Sequence, residues 1–268
     1  MDTVQQEMTD DFVTVESIFV RQRNCHLLKA QLSPIFTDYY LHLMQHGLRN
    51  EDPVDSLLKN LTAYFTLHLV SRPWAEYHAW TINLRSPLVA NLFVSGSSLT
   101  ESVVARAFTE DVRVPDQNTL FTQMIRDGKN PQTSVILLHG DTPETWVEDY
   151  YRQSEQRIIR CFELPDENFI LITAQPDADL DWLQNLTLED AAAIEKNEET
   201  KVMETRRLRF HCGCTIDKIL PTIRTMKKDF ADLLSEQGKL DITCPRCAAQ
   251  YVVTPDMLQD GPGEREEE

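Results

Sequence analysis

The sequence predicts an α+β fold: a mixed-sheet core with packed helices, an amphipathic helical linker, and a small C-terminal domain built on four cysteines. Three observations predict it. Apolar residues recur at both helical and alternating spacing up to Pro176, without the strict strand–helix alternation of a doubly wound sheet. Acidic and apolar residues then interleave over residues 177–209. Finally, four of the six cysteines crowd into 36 positions near the C-terminus.

Phe12 to Arg21 is β-branched and aromatic with partial alternation, which predicts a strand. Ser33-Pro34 marks a helix start, serine as N-cap and proline at the first helical position. Ile35, Phe36, Tyr39, Tyr40, Leu43 and Met44 follow at helical spacing until Gly47 stops the run. A second helix starts after Asp52-Pro53 and presents Leu57, Leu58, Leu61 and Phe65. Trp80 to Leu84, Leu88 to Val94 and Ser134 to Leu138 read as strands, separated by stretches rich in Ser, Thr, Asp and Asn. Thr142-Pro143 opens a helix with Trp146, Val147, Tyr150 and Tyr151 on one side, and strands follow at Arg157 to Glu163 and Asn168 to Ala174. These elements form a core domain over residues 1–176, with no repeat at any fixed period.

Residues 177–209 carry nine acids together with Leu180, Trp182, Leu183, Leu186, Leu188, Ile194 and Val202. That mixture is too polar for a core and too apolar for a free linker, and predicts a conditionally stable helical connector. Thr187 with Asp190 three residues on fits a capping pair. A cysteine domain over residues 210–259 follows, and an acidic tail, residues 260–268, is expected to be disordered.

Composition narrows the function. Hydrophobic residues at 41% and charged residues at 26% are ordinary for a globular protein. No apolar run approaches the roughly 18 residues that a membrane helix needs, so no membrane partner is expected. The opening Met1-Asp2-Thr3-Val4-Gln5-Gln6-Glu7 is acidic, the reverse of a secretory or mitochondrial leader, which points to the cytoplasm. A net charge of −17 repels nucleic acid and favours solubility. No G-x-S-x-G elbow, P-loop or dinucleotide fingerprint occurs, and the chain is not expected to be an enzyme.

The cysteines carry the chemistry. Cys212 and Cys214 form C-x-C; after 29 intervening residues, Cys244 and Cys247 form C-x-x-C. Four thiolates match the tetrahedral, soft-ligand preference of zinc, one ion per chain, with no further ligand required. Ile223, Met226, Phe230, Leu233 and Leu234 line one helical face between the pairs, and Gly238 stops that helix. Lys239 to Thr243 and Ala248 to Val253 read as short strands around the Cys244-Pro245-Arg246-Cys247 turn, and Thr254-Pro255 starts a short helix. Fewer than 60 residues follow the connector, too few for a secure core without a staple. A structural zinc supplies on the order of 10–16 kcal/mol in small finger peptides. Oxidising the thiolates would remove the ligands and that folding energy, so the site is chemically able to sense oxidants. A static zinc ribbon acting as a protein-binding adaptor is the alternative.

His211-Cys212-Gly213-Cys214 through Ile242-Thr243-Cys244-Pro245-Arg246-Cys247, with Gln250-Tyr251-Val252-Val253 behind it, resembles the zinc-binding end of the redox-regulated 33 kDa chaperonins, the heat shock protein 33 family. Glu148-Asp149-Tyr150-Tyr151-Arg152-Gln153-Ser154-Glu155-Gln156 resembles the acidic-aromatic helix of the same family. The resemblance spans roughly residues 55 to 258 and implies an ATP-independent holdase for unfolding proteins, switched on by oxidation. It implies that Cys212, Cys214, Cys244 and Cys247 hold zinc when reduced, and that Cys212 pairs with Cys214 and Cys244 with Cys247 when oxidised. It also implies a homodimer in the activated form. On that reading, undocking of the connector exposes Trp182, Leu183, Leu186 and Leu188, the candidate client-binding residues.

Other candidates are weaker. Cys244-Pro245-Arg246-Cys247 superficially matches a thiol–disulfide oxidoreductase motif, but it lies near the C-terminus between two strands, with a second cysteine pair available to share a metal. His42 and His46 stand four apart on a helix with no third ligand in view, and read as surface histidines. His211 reads as a neighbour of the ligands, and Cys25 and Cys161 as small buried hydrophobes.

Overall fold

Runs of β-branched and aromatic residues set the strands, and the sheet order explains why several of them are apolar on both faces. In the computed structural model, which describes residues 12–225 and 238–259, the chain divides into two units, Met1–His211 and Cys212–Glu268. The α+β class holds. The first unit contributes β1 (Val13–Val20), β2 (Cys25–Gln31), β3 (Glu76–Leu84), β4 (Ala90–Ser97), β5 (Ser102–Phe108), β6 (Thr119–Arg126), β7 (Gln132–Leu137), β8 (Ile159–Leu164), β9 (Asn168–Ala174) and β10 (Thr200–Phe210). They form one sheet in the order β7-β6-β3-β4-β5-β10-β1-β2-β9-β8.

Every neighbouring pair is antiparallel except β5 and β10. β10 runs antiparallel to β1 from Leu208 opposite Val13 to Thr200 opposite Val20. Its last residues, Arg209 and Phe210, then pair in parallel with Ser102 and Val103 of β5. One strand therefore joins two half-sheets. A register step between Ser17 and Ile18 leaves Met203 without a partner on β1, the geometry of a bulge.

Helices cover both faces of the β1-β2-β9-β8 half. On one side lie α1 (Ser33–Gln45), α2 (Asp52–Ser71) and α3 (Pro143–Tyr150), the last running into a π-turn, Tyr151–Glu155. α2 packs across β4, β5, β9 and β2 and buries nearly every residue from Leu58 to Val70. Phe169 of β9 meets Phe36 and Tyr64 edge-on from this side. Gly96 of β4 is required where α2 and β5 come closest, because a Cβ there would stand 2.4 Å from the Ser102 carbonyl oxygen.

On the opposite face sit α4 (Leu180–Asn185), α5 (Leu188–Ala192) and α6 (Ile194–Asn197). Leu183, Leu186, Ala191 and Ile194 close an apolar cluster with Ile18, Val20, Leu27, Ile170 and Ile172. The expected Thr187–Asp190 pair is a full capping box at the start of α5. The expected helix over 177–209 therefore covers only its first part. Residues 200–210 are strand: Thr200, Val202 and Thr205 are β-branched, Leu208 and Phe210 alternate inward, and β1 would otherwise be an unpaired edge. Helical periodicity in the acids yields there to long-range pairing.

β2, β5 and β6 were absent from the expected elements; β5 and β6 fall in stretches read as rich in Ser, Thr, Asp and Asn. The other expected strands and helices of the first unit form within a few residues of their predicted limits. In the second unit, α7 (Ile216–Thr225) precedes a hairpin of β11 (Leu240–Thr243) and β12 (Gln250–Val253), and Pro255–Gln259 adds one helical turn. Met226, Phe230, Leu233 and Leu234 of the expected helical face, and the acidic tail from Asp260, lie outside the described residues. No helix among the described residues is long and apolar enough to cross a membrane.

Candidate metal centre

Two local structures bring the four cysteines together. Gly213 adopts φ +66°, a left-handed conformation that turns Cys212 and Cys214 toward one centre. At the hairpin, the Cys244 N–H donates to the Ala249 carbonyl at 2.8 Å and the Ala248 N–H to the Cys244 carbonyl at 2.9 Å, closing a tight turn around Cys247. Ala248 takes φ +63° there. Lys218 Nζ donates to the Gly213 carbonyl at 2.6 Å, tying α7 to the first cysteine pair.

All four sulfurs lie within 4.8 Å of one another, and among the described residues they are the only such group of three or more His, Cys, Asp or Glu. Cys212 Sγ stands 3.8 Å from Cys244 Sγ, and Cys214 Sγ stands 3.4 Å from Cys247 Sγ. These separations exceed a disulfide bond and approach the edge of a tetrahedron with zinc–sulfur bonds of about 2.3 Å. The donor set fits zinc. Hydrogen bonding from Cys247, assisted by the Arg246 charge, draws the Cys212 thiol down to about 5. Cys247 is pushed far up, first by that same hydrogen bond and then by burial, and burial raises Cys214. Without a cation the cluster thus concentrates its negative charge on Cys212, because thiolates this close disfavour one another.

Tyr251 was not singled out from the sequence as a site residue. Its hydroxyl lies 2.9 Å from the Cys214 carbonyl oxygen and 3.1 Å from Cys214 Sγ. Only the fold, by closing β12 over the C-x-C turn, reveals this. His211 stands outside the sulfur group, its N–H donating to the Val103 carbonyl at 2.9 Å. The His42 and His46 rings approach to 4.5 Å on α1 without joining a ligand group among the described residues. Cys25 and Cys161 are buried in the first unit, and burial pushes both thiols up, Cys25 to about 11.

The candidate client-binding residues are not equivalent. Leu183 and Leu186 are interior, Trp182 is half-buried beneath the Arg23 guanidinium, and Leu188 is exposed. Ion pairs hold this segment on the sheet: Arg23 to Asp179 at 2.7 Å and to Glu198 at 3.0 Å, Arg21 to Glu199 at 3.2 Å, and Lys29 to Glu195.

A second polar cluster lies inside the first unit and includes Tyr151 of the segment that resembles the family motif. The Tyr151 hydroxyl is 2.9 Å from His68 Nδ1, His68 Nε2 is 3.4 Å from His78 Nδ1, and His78 Nε2 is 2.9 Å from Glu76 Oε2. Arg126 and Arg72 close on Glu76 at 2.7 and 3.3 Å. Burial, then the charges of His78 and Arg72, holds His68 well below the usual histidine range. Burial lowers His78 as well, against the opposing pull of Glu76.

A sequence profile described as Hsp33 protein matches residues 173–254, the connector and the cysteine segment together. A 33 kDa chaperonin of Proteus mirabilis is 27% identical over 158 residues, covering 47% of this chain and 53% of that protein. One of Methylobacillus flagellatus is 26% identical over 150 residues, covering 47% and 51%. The chain thus spans about half the length of the relatives it matches. The crystal structure of the 33 kDa chaperonin (heat shock protein 33 homolog) of Thermotoga maritima shares the fold, with a TM-score of 0.67 over 92% of this chain and 96% of that one, at 14% identity. With the cysteine cluster in place, the chain shares the fold of a 33 kDa chaperonin and resembles that family in sequence, the profile match lying over its connector and cysteine segment.

Proposed function

We propose that this protein is a redox-regulated, ATP-independent holdase that captures unfolding proteins when its four cysteines are oxidised. The observation that carries this reading is the convergence of Cys212, Cys214, Cys244 and Cys247 within 4.8 Å, with Cys212 and Cys214 half-exposed. Zinc bound there would neutralise thiolate charge and cross-link the C-x-C turn ahead of α7 to the hairpin.

Oxidation converts two thiols and one peroxide to one disulfide and two waters. Each sulfur of the pair gives up one electron, and neither then offers a ligand thiolate. The family resemblance supports pairing of Cys212 with Cys214 and of Cys244 with Cys247; all four sulfurs lie within 4.8 Å of one another, so proximity does not select the partners. Loss of the staple destabilises the second unit and, with it, the docking of residues 177–197.

Undocking would uncover Leu183 and Leu186 and the cluster of Ile18, Val20, Leu27 and Ile172 beneath them. At about 25 cal/mol per Å2, a few hundred Å2 of such surface supplies several kcal/mol, enough for transient holding. A cytoplasmic location and dimerisation of the oxidised form belong to the same reading. The charge of −17 would keep such an opened state soluble and disfavours nucleic acid as its client.

The test is light scattering from a thermally unfolding client, with this protein added reduced and zinc-loaded or oxidised by peroxide. The expected result is suppression of scattering by the oxidised form alone. Equal behaviour of both forms would remove the switch and leave a static zinc module.

A further inference from the structure

α1 ends in a pair of imidazoles. His42 and His46 stand one turn apart, and their rings approach to 4.5 Å between centroids with 56° between planes. Histidines at i and i+4 are a helical spacing that ligates zinc, and two rings sharing one ion at zinc–nitrogen bonds of about 2.0–2.1 Å have centroids about 5 Å apart. Spacing alone reads as two surface histidines; the structure adds what holds the pair in place. The His46 N–H donates to the His42 carbonyl at 3.2 Å, and Gly47, at φ +60°, turns the chain so that the Leu48 N–H reaches the Leu43 carbonyl at 2.9 Å. That closure fixes His46 at the helix end. The Phe210 ring lies 5.7 Å from the His42 ring and is braced by Tyr39 at 5.5 Å, walling one side of a pair that is otherwise half-exposed.

We propose that His42 and His46 form a second, weaker zinc site, in which the two imidazoles chelate one ion and water fills its remaining positions. The site stands apart from the redox reading above. Imidazole nitrogen suits zinc, copper and nickel, whereas magnesium and calcium prefer oxygen. Each ring has two nitrogens, so a hydrogen bond made by one orients the ring and leaves the other to ligate. The setting favours a cation in three ways. The pair lies at the C-terminal end of a 13-residue helix, where the backbone dipole is negative. Asp38 stands one turn before His42 on the same row of the helix, and the chain carries a net charge of −17. Burial, then the charge of His42, lowers the pKa of His46, which favours the neutral ring that a metal requires.

No third His, Cys, Asp or Glu among the described residues joins the pair. Two protein ligands and open positions make an exchangeable site, in contrast to the closed shell that four thiolates give. An ion held there ties the last turn of α1 to its own preceding turn, so its binding stabilises the helix end that Gly47 terminates.

The experiment uses the full-length, reduced protein as wild type, His42→Gln and His46→Gln, titrated calorimetrically with zinc past two equivalents, with and without excess magnesium. Imidazole proton resonances of the wild type are followed by NMR over the same titration, and circular dichroism checks that both variants fold. The wild type should take a weaker equivalent of zinc beside the tight one assigned above to the cysteines. Either substitution should weaken it by about tenfold or more, since one of two nitrogen ligands is lost, while the tight equivalent stays as it was. Magnesium should leave the weaker equivalent in place, and the His42 and His46 resonances should shift as it fills. Equal affinity for the weaker equivalent in wild type and both variants overturns the inference. Its displacement by magnesium does the same, because carboxylates then hold the ion. Imidazole resonances of His42 and His46 that stay put in the wild type overturn it whatever the variants do.

Discussion

At the residue scale, the molecule keeps two sets of titratable groups in opposite conditions. The cysteines of the second unit gather where thiolates are wanted, while His68 and His78 are sealed in the first unit where charge is not. His68 is flanked by Arg72 just past the end of its own helix, by Glu76 and His78 on β3, by Arg126 on β6, and by Tyr150, Tyr151 and Glu155 from α3 and its π-turn. Both histidines have folded-state pKa values below their unfolded ones, so the unfolded chain binds more protons as pH falls. Stability is then fully present above about pH 6.5 and is lost as pH drops below that value. Urea midpoints should decline from pH 7 to pH 5, each histidine contributing up to about 1.4 kcal/mol per pH unit. His68→Gln should flatten that decline; an unchanged slope in the variant would show that the histidine pair does not set the acid sensitivity.

At the element scale, the connector is the informative segment. Its three short helices lack the length to be stable alone, so their order comes from burial of Leu183, Leu186, Ala191 and Ile194 and from the ion pairs of Arg21, Arg23 and Lys29. Substitutions should therefore divide by burial and not by hydrophobicity. Leu183→Ala should cost about 2–5 kcal/mol of local stability and Thr187→Ala about 1 kcal/mol, read as faster hydrogen exchange over residues 180–197. Leu188→Ala, at 44% exposure, should stay within about 0.5 kcal/mol. Comparable losses at Leu183 and Leu188 would contradict the docked arrangement. The capping box was legible because Thr187 and Asp190 act within one turn. The strand identity of residues 200–210 was not, because β1 and β5 lie about 90 to 200 positions away in the chain and supply every partner.

At the scale of the whole molecule, the two units differ in what holds them. The first has a sheet with buried residues on both faces, anchored by large side chains such as Trp80, Trp146, Tyr64 and Phe65. The second buries, among its described residues, only Cys244, Cys247, Ala248, Ala249 and Val253. So small a described core suits a unit held by a metal cross-link. Stripping zinc with a chelator under reducing conditions should open the second unit and expose Lys218, Arg224 and Arg246 to trypsin. Apart from the docked connector, residues 177–197, the first unit should keep its unfolding midpoint. Continued protection of those sites would mean that the metal is not the staple.

Spacing alone marked the four cysteines that the fold brings together. C-x-C and C-x-x-C encode tight turns, and four such soft ligands could hold a metal; the capping box and the proline-led helices are local in the same sense. Tertiary structure decided what local signals do not reach. It made Thr200–Phe210 the strand joining two half-sheets, placed Leu183 and Leu186 inside while leaving Leu188 out, enclosed His68 and His78, and brought Tyr251 onto Cys214. Each of these depends on pairing or burial between residues distant in sequence, and short-range periodicity carries no information about such partners.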